Sequence, residues 1–231
     1  MQMEYAMPSA VNKGEENIMK IGVIGATGKA GSLIYREAVH RGYEVTAIVR
    51  DASRLQGAHS SVVEKDIFKL TASDLKTFDV VVNAFQAPPG EEHLHVEAGR
   101  VLIEALKGAP QTKLFVVGGA GSLYADEAKT LKVMDTPDFP SLYYPTASNQ
   151  GTNLEDLQKS EGITWTFLSP SAFFDPEGKR TGDYRAGKDY LLVNSSGESY
   201  ISYADYAIAV VDEIENPKHV NERFTVVGEK N

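Results

Sequence analysis

The chain of 231 residues contains no cysteine. That excludes a disulfide framework, thiolate catalysis and thiolate-held zinc or iron–sulfur centres, and it matches the usage of a reducing cytoplasm. Basic residues are in deficit: 23 Lys and Arg stand against 32 Asp and Glu, a net charge of −9. They are scattered singly or in pairs, so the surface repels phosphate backbones and anionic headgroups, and neither nucleic acid nor a membrane is expected as a partner. Long apolar runs are missing too. None reaches the roughly 18–20 residues of a transmembrane helix. The first 18 residues lack an apolar signal core and carry Glu15 and Glu16, which argues against export. Residues 1–18 are read as an extension outside the fold and 19–231 as one domain. A cytoplasmic monomer or homodimer acting on small molecules is the expectation.

Other chemistries lack their residues. His93 and His95 are two apart on an expected helix and face different ways, so they make a poor metal pair. No Gly-x-Ser-x-Gly elbow supports a hydrolase.

What is present is a rhythm. Short apolar blocks at Lys20–Ile24, Glu44–Val49, Ser61–Lys65, Asp79–Ala84, Lys113–Gly118 and Ile163–Leu168 read as strands. Helix-period segments separate several of them: one with Ala30, Leu33, Ile34 and Ala38 on a face and Arg41-Gly42 closing it, one from Leu94 to Leu106, and one from Pro145 to Ser160. Near-continuous Val/Ile/Leu strands alternating with helices predict a parallel sheet covered on both faces, a Rossmann-type doubly wound α/β fold. After residue 170 the rhythm changes. Residues 175–199 read as loop and short strands, Ser202 and Asp205 as a capping-box-like pair opening a helix that stops before Pro217, and Phe224–Val227 as a last strand. These form a small C-terminal elaboration.

The sharpest motif is Gly25-Ala26-Thr27-Gly28-Lys29-Ala30-Gly31, which closes the first strand and opens an amphipathic helix. In that context Gly25 permits a sharp turn, Gly28 lets a pyrophosphate approach the backbone, and Gly31 lets helix and strand pack closely. Free amides and the positive helix end stabilise phosphates, with Thr27 and Lys29 adding a hydroxyl and a cation. The phosphate loop of nucleoside triphosphatases does not match, because Val23 stands where its first glycine belongs. The second strand ends Val49-Arg50-Asp51. An NAD site places an acid there, whereas Arg50 suits a 2′-phosphate, so NADP is favoured, with NAD open through Asp51.

With IGATGKAG, AIVRD, VEKDIF, DVVVNAF, FVVGGAGSL, DTPDFP, WTFLSPSAFF, GKRTGDYR and ISYADYA in place, the chain resembles the atypical short-chain dehydrogenase superfamily. Within it the resemblance is to NADH-flavin-reductase-like proteins, with biliverdin-IXβ-reductase-like and NmrA-like proteins nearby. It covers about Lys20 to Val227. The resemblance implies adenine contacts at Asp66 and Ile67, nicotinamide ribose contacts at Ala84, Phe85 and Gln86, and nicotinamide contacts at Gly118, Gly119, Ala120, Pro170, Ser171, Ala172 and Phe173. One departure is plain. Tyr143 is followed four residues on by Ala147, Tyr144 by Ser148 and Tyr124 by Ala128, so none of these three carries the superfamily's Tyr-x-x-x-Lys. Proton-coupled ketone chemistry through that pair is therefore disfavoured. The expectation is hydride transfer from NAD(P)H to a flavin, quinone or similar conjugated acceptor, with Ser122 and Tyr143 as substrate-positioning catalytic groups. Phe173–Tyr200 is expected to cover the nicotinamide end, with Lys179, Arg180 and Arg185 drawing in an anionic substrate. The alternatives are an NADP-binding sensor of the NmrA-like kind and an epimerase-like enzyme.

Overall fold

Eight strands form one sheet in a computed structural model that describes residues 18–55 and 61–230. The expected extension at 1–18 thus lies, apart from Ile18, outside the described residues. The strands are β1 (Lys20–Ile24), β2 (Glu44–Val49), β3 (Ser61–Glu64), β4 (Val80–Asn83), β5 (Lys113–Val117), β6 (Thr164–Ser169), β8 (Tyr184–Gly187) and β10 (Glu222–Gly228). Their order is β3-β2-β1-β4-β5-β6-β10-β8, and only β8 runs antiparallel to its neighbour. A separate parallel pair joins β7 (Phe173–Asp175) to β9 (Tyr200–Ser202). The first six strands follow the Rossmann order, which reverses direction between β1 and β4 and opens a crevice at their carboxyl ends. Observed strand ends lie within two residues of the sequence expectation.

Both sheet faces are covered, as the continuous apolar strands require. Helices α1 (Lys29–His40) and α5 (Tyr203–Glu215) pack on one face with Ile34, Ala38, Val210 and Ile214. On the other, α3 (Leu94–Lys107) and α4 (Tyr144–Gln158) bury Leu102, Leu106, Leu154 and Leu157, with the one-turn α2 (Ala72–Leu75) beside them. The α3–α4 contact is close because Gly99 has no side chain: a Cβ there would sit 2.6 Å from the Asn153 amide nitrogen, which instead donates to the His95 carbonyl at 3.1 Å.

Charged groups tie the C-terminal elaboration down. Arg41, at the end of α1, does more than complement its own helix: it reaches Asp212 at 2.6 Å and Glu215 at 2.8 Å on α5. Ser202 caps α5 by accepting from the Asp205 amide at 2.9 Å. The reciprocal half of the expected capping box is replaced. The buried Asp205 carboxylate accepts from the Thr181 and Gly182 amides, both at 2.8 Å, and from the Thr181 hydroxyl. A short acid that cannot reach its own helix start is thereby used to hold the 181–182 turn.

Candidate functional site

A cleft runs along the carboxyl ends of the parallel strands, in two hollows that share Gly28, Ala84, Phe85 and Gln86. Their volumes are about 260 and 660 Å³. Together they cross the point where strand order reverses, the place an open α/β sheet offers a ligand.

The glycine turn sits between the halves. Gly25 has φ +78°, and a Cβ there would stand 2.5 Å from the Ala84 carbonyl oxygen. A Cβ on Gly31 would overlap the Gly25 carbonyl, so helix and turn pack at the distance only glycine allows. Gly28 is exposed at the start of α1, whose N-terminus has no side-chain cap. Its own amide donates to Gly25, and Ser32 is the next to bond within the chain, to the Gly28 carbonyl at 2.9 Å. Among the described residues, the amides of Lys29, Ala30 and Gly31 meet no acceptor. Three free amides at a positive helix end, with Lys29 beside them, fit a pyrophosphate.

In the smaller hollow, Arg50 follows β2 and Arg54 lies one short turn later. Sequence reading passed over Arg54; its spacing from Arg50 becomes informative only once residues 52–54 are known to turn. Asp51 lines the same hollow, but its carboxylate caps that turn. It accepts from the Ser53 amide at 3.0 Å and the Ser53 hydroxyl at 2.6 Å, which hold its pKa below the usual range. Asp66 and Ile67 line the opposite wall, and one Asp66 oxygen accepts from the Phe68 amide at 3.0 Å. Phe68, not anticipated, stands edge-on to Phe85 with centroids 5.8 Å apart.

The segment after β4 is held from below. Phe85 also meets His95 edge-on at 5.7 Å, and the Ala87 amide points at His95 Nε2 from 3.5 Å. Burial pushes the His95 pKa down to about 4. The ring is therefore neutral at pH 7, free to accept that amide. Alternate projection along α3 explains why His93, two residues earlier, is exposed instead.

The larger hollow holds Lys29, Ala30, Gly31, Gly118, Gly119 and Pro170 as the sequence suggested, with Tyr143 from the start of α4. Several expected residues lie elsewhere. Ser122 is buried behind the cleft, where its carbonyl accepts from Arg223 at 3.1 Å and its hydroxyl lies 3.4 Å from the same nitrogen. Ser171 is also buried, donating to the Val226 carbonyl at 2.8 Å. Ala120 and Ala172 are not among the lining residues. Phe173 turns outward, 54% exposed, beside Tyr200 and Lys230. Side chains alternate along β7, so Phe174 faces the cleft instead, packed on Tyr203 at 3.8 Å and Tyr206 at 4.8 Å.

Two further lining residues come from α4. Thr146 and Gln150 are four apart and share the face that Tyr143 begins. The Gln150 side chain occupies the space a Cβ on Gly119 would take. The cations expected to attract an anionic substrate do not reach the cleft: Arg180 binds Glu37 at 3.1 Å, and Arg185 donates to the Val193 carbonyl at 2.7 Å. Of Phe173–Tyr200, only Phe174 lines the larger hollow.

Comparison with known proteins agrees with this geometry. The family described as NAD(P)H-binding matches residues 25–217. The uncharacterised protein YwnB of Bacillus subtilis (strain 168) is 67% identical over 211 residues, covering 91% of this chain and 99% of that protein. A crystal structure of a candidate NADH-flavin reductase from Streptococcus pneumoniae TIGR4 superposes with a TM-score of 0.87 at 45% identity, covering 91% of this chain and 100% of that one. A candidate epimerase from Bacteroides thetaiotaomicron gives 0.83 at 36% identity, covering 93% and 99%. Divinyl chlorophyllide a 8-vinyl-reductase of Arabidopsis thaliana is 25% identical; the match covers 96% of this chain and 56% of that protein. The chain belongs to the NAD(P)H-binding family, within the atypical short-chain dehydrogenase superfamily.

Proposed function

We propose that the protein is an NADP(H)-dependent reductase that passes hydride to a planar conjugated acceptor such as a quinone or flavin. One observation carries this reading: the glycine turn leads directly into a roomy hollow walled by Leu142, Tyr143, Phe174 and Tyr203. The reduced nicotinamide, when bound, supplies two electrons and one proton as hydride. An acceptor would gain that hydride together with one proton from water.

The chain's own groups bind and orient. Arg50 and Arg54 bring a double positive charge to the adenosine end, and the amides of residues 29–31 hold the pyrophosphate. Pro170, Gly118 and Gly119 present no long side chain to the hollow, and Tyr143, Phe174 and Tyr203 wall it with aromatic surface. Holding two rings in contact supplies much of the acceleration by proximity and orientation. Thr146 and Gln150, four apart on the cleft face of α4, offer hydrogen bonds from groups that do not titrate. This disfavours the epimerase alternative and suits an acceptor that takes its proton from water.

Purified protein should oxidise NADPH in the presence of menadione or riboflavin at a rate proportional to protein concentration. Tyr143→Phe and Thr146→Ala should each lower turnover by about 10-fold or less, the loss of one neutral hydrogen bond. A fall on the order of 10³-fold from either would reveal an unassigned proton-transfer role. Tight NADPH binding with no turnover of flavins, quinones or carbonyl compounds would replace the reductase with a dinucleotide-binding sensor.

A further inference from the structure

The acceptor half of the cleft has an unusual balance of charge for a protein that handles a polyanionic dinucleotide. Among the described residues lining the larger hollow, only Lys29 and Glu92 are charged. Lys29 is the first residue of α1, where the pyrophosphate fits. That leaves the carboxylate of Glu92 with no cation opposing it in the wall. Its position is built: Gly90, with φ +86°, turns its amide onto Glu92 Oε1 at 2.9 Å. The neighbouring His93 and His95 do not neutralise it. His93 lies 3.9 Å from Glu97, and His95 is buried and neutral at pH 7. The remaining polar side chains are the amides of Gln86 and Gln150 and the hydroxyls of Tyr143, Thr146 and Tyr203. Of the cations of the C-terminal segment, Arg180 and Arg185 are engaged elsewhere and Lys179 does not line the hollow, and the whole chain carries −9.

Resting on the reductase reading above, we propose that the acceptor is an uncharged planar ring, and that Glu92 is a specificity-determining residue that turns away acceptors bearing phosphate or other anionic groups. The aromatic walls select flat apolar surface, and the acidic rim selects against negative charge. Within a conjugated class, this places neutral quinones and phosphate-free isoalloxazines ahead of nucleotide flavins.

Riboflavin and FMN test this cleanly, since they share one ring system and differ by a phosphate of about −1.5 to −2 charge at pH 7. With NADPH saturating and about 10 mM salt, kcat/KM for riboflavin should exceed that for FMN by about 3- to 10-fold, the scale set by a divalent anion roughly 10 Å from one carboxylate in water. The ratio should shrink towards unity in 0.5 M salt, where the Debye length falls to about 4 Å. Glu92→Gln should narrow the low-salt ratio, and Glu92→Lys should invert it. Equal or preferential use of FMN by the parent protein would overturn the proposal while leaving the reductase intact. A second readout separates the two ideas. Quenching of flavin fluorescence by the NADP⁺-loaded protein measures binding without turnover. If neither flavin is reduced but riboflavin binds more tightly than FMN, the reductase fails and the charge selection stands. If FMN binds as well as riboflavin, or neither binds, the proposal is refuted.

Discussion

Arg50 and Arg54 show how much one side chain's neighbours decide. Neither guanidinium has a hydrogen bond or ion pair with a carboxylate among the described residues, although Asp51 lies in the same hollow. Asp51 is occupied by Ser53, so the acid that left NAD open in the sequence is not free to accept from a ribose with the oxygen that Ser53 binds. NADPH should therefore bind more tightly than NADH. Arg50→Ala and Arg54→Ala should each weaken NADPH by about 10-fold, one charge-assisted bond of roughly 1.5–3 kcal/mol less solvent screening, and leave NADH nearly unchanged. Titration calorimetry measures both; equal affinities for the two dinucleotides in the parent protein would reject the assignment. Arg50 was legible in the sequence because it ends an evident strand. Arg54 was not, because only the turn at 52–54 brings it back to the same rim.

Helix α4 is the element where sequence and structure part most. Its pattern is weak, Gly151 interrupts it, and it contains no Tyr-x-x-x-Lys, yet it runs unbroken over Tyr144–Gln158. Tertiary packing supplies what propensity lacks. One face carries Leu154 and Leu157 into the core, and another turns Thr146 and Gln150 to the cleft. Gly151 is not required by close contact: a Cβ would find its nearest neighbours at 3.7 Å, on Met134, and 3.8 Å, on Ser122. Gly151→Ala should thus stabilise the protein by about 0.5–1 kcal/mol, since alanine fits a helix interior better than glycine. Thermal unfolding should shift up by a few degrees, about 2–4 °C for a chain of this size; a lower midpoint would mean the helix cannot take the methyl group. The two phenylalanines of β7 teach the same lesson. That one of them faces the cleft was readable, but which one depended on the strand's register against β9, and alternation then sent Phe174 inward and Phe173 out.

At the scale of the whole molecule, stability should depend on acidity through the buried imidazole that supports the cleft. His95 folds with a pKa of about 4 against the usual 6.5, because burial opposes its charged form. Between those values the unfolded chain binds more protons than the folded one. Stability contributed by this group is therefore full above pH 6.5, falls as pH drops towards 4, and is lost below it, by up to about 3 kcal/mol. Urea unfolding at pH 7, 5.5 and 4.5 measures the loss, and His95→Gln, which keeps an acceptor for Ala87 but cannot ionise, should flatten it. An unchanged pH profile in that variant would assign the acid sensitivity to other groups. The sequence by itself determined the class of fold, the dinucleotide turn and the lack of a lysine four residues after Tyr143 or Tyr144. Those rest on local facts: strand periodicity, a glycine where a Cβ collides with its own turn, and Ala147 and Ser148 where a lysine would stand. Tertiary structure alone decided which polar groups the cleft would keep. Ser122 went to Arg223, Asp205 to the 181–182 turn and Arg180 to Glu37, while Thr146, Gln150 and Glu92 came forward. The physical reason is that a polar side chain goes wherever folding brings its partner, and those partners lie 23 to 143 residues away along the chain.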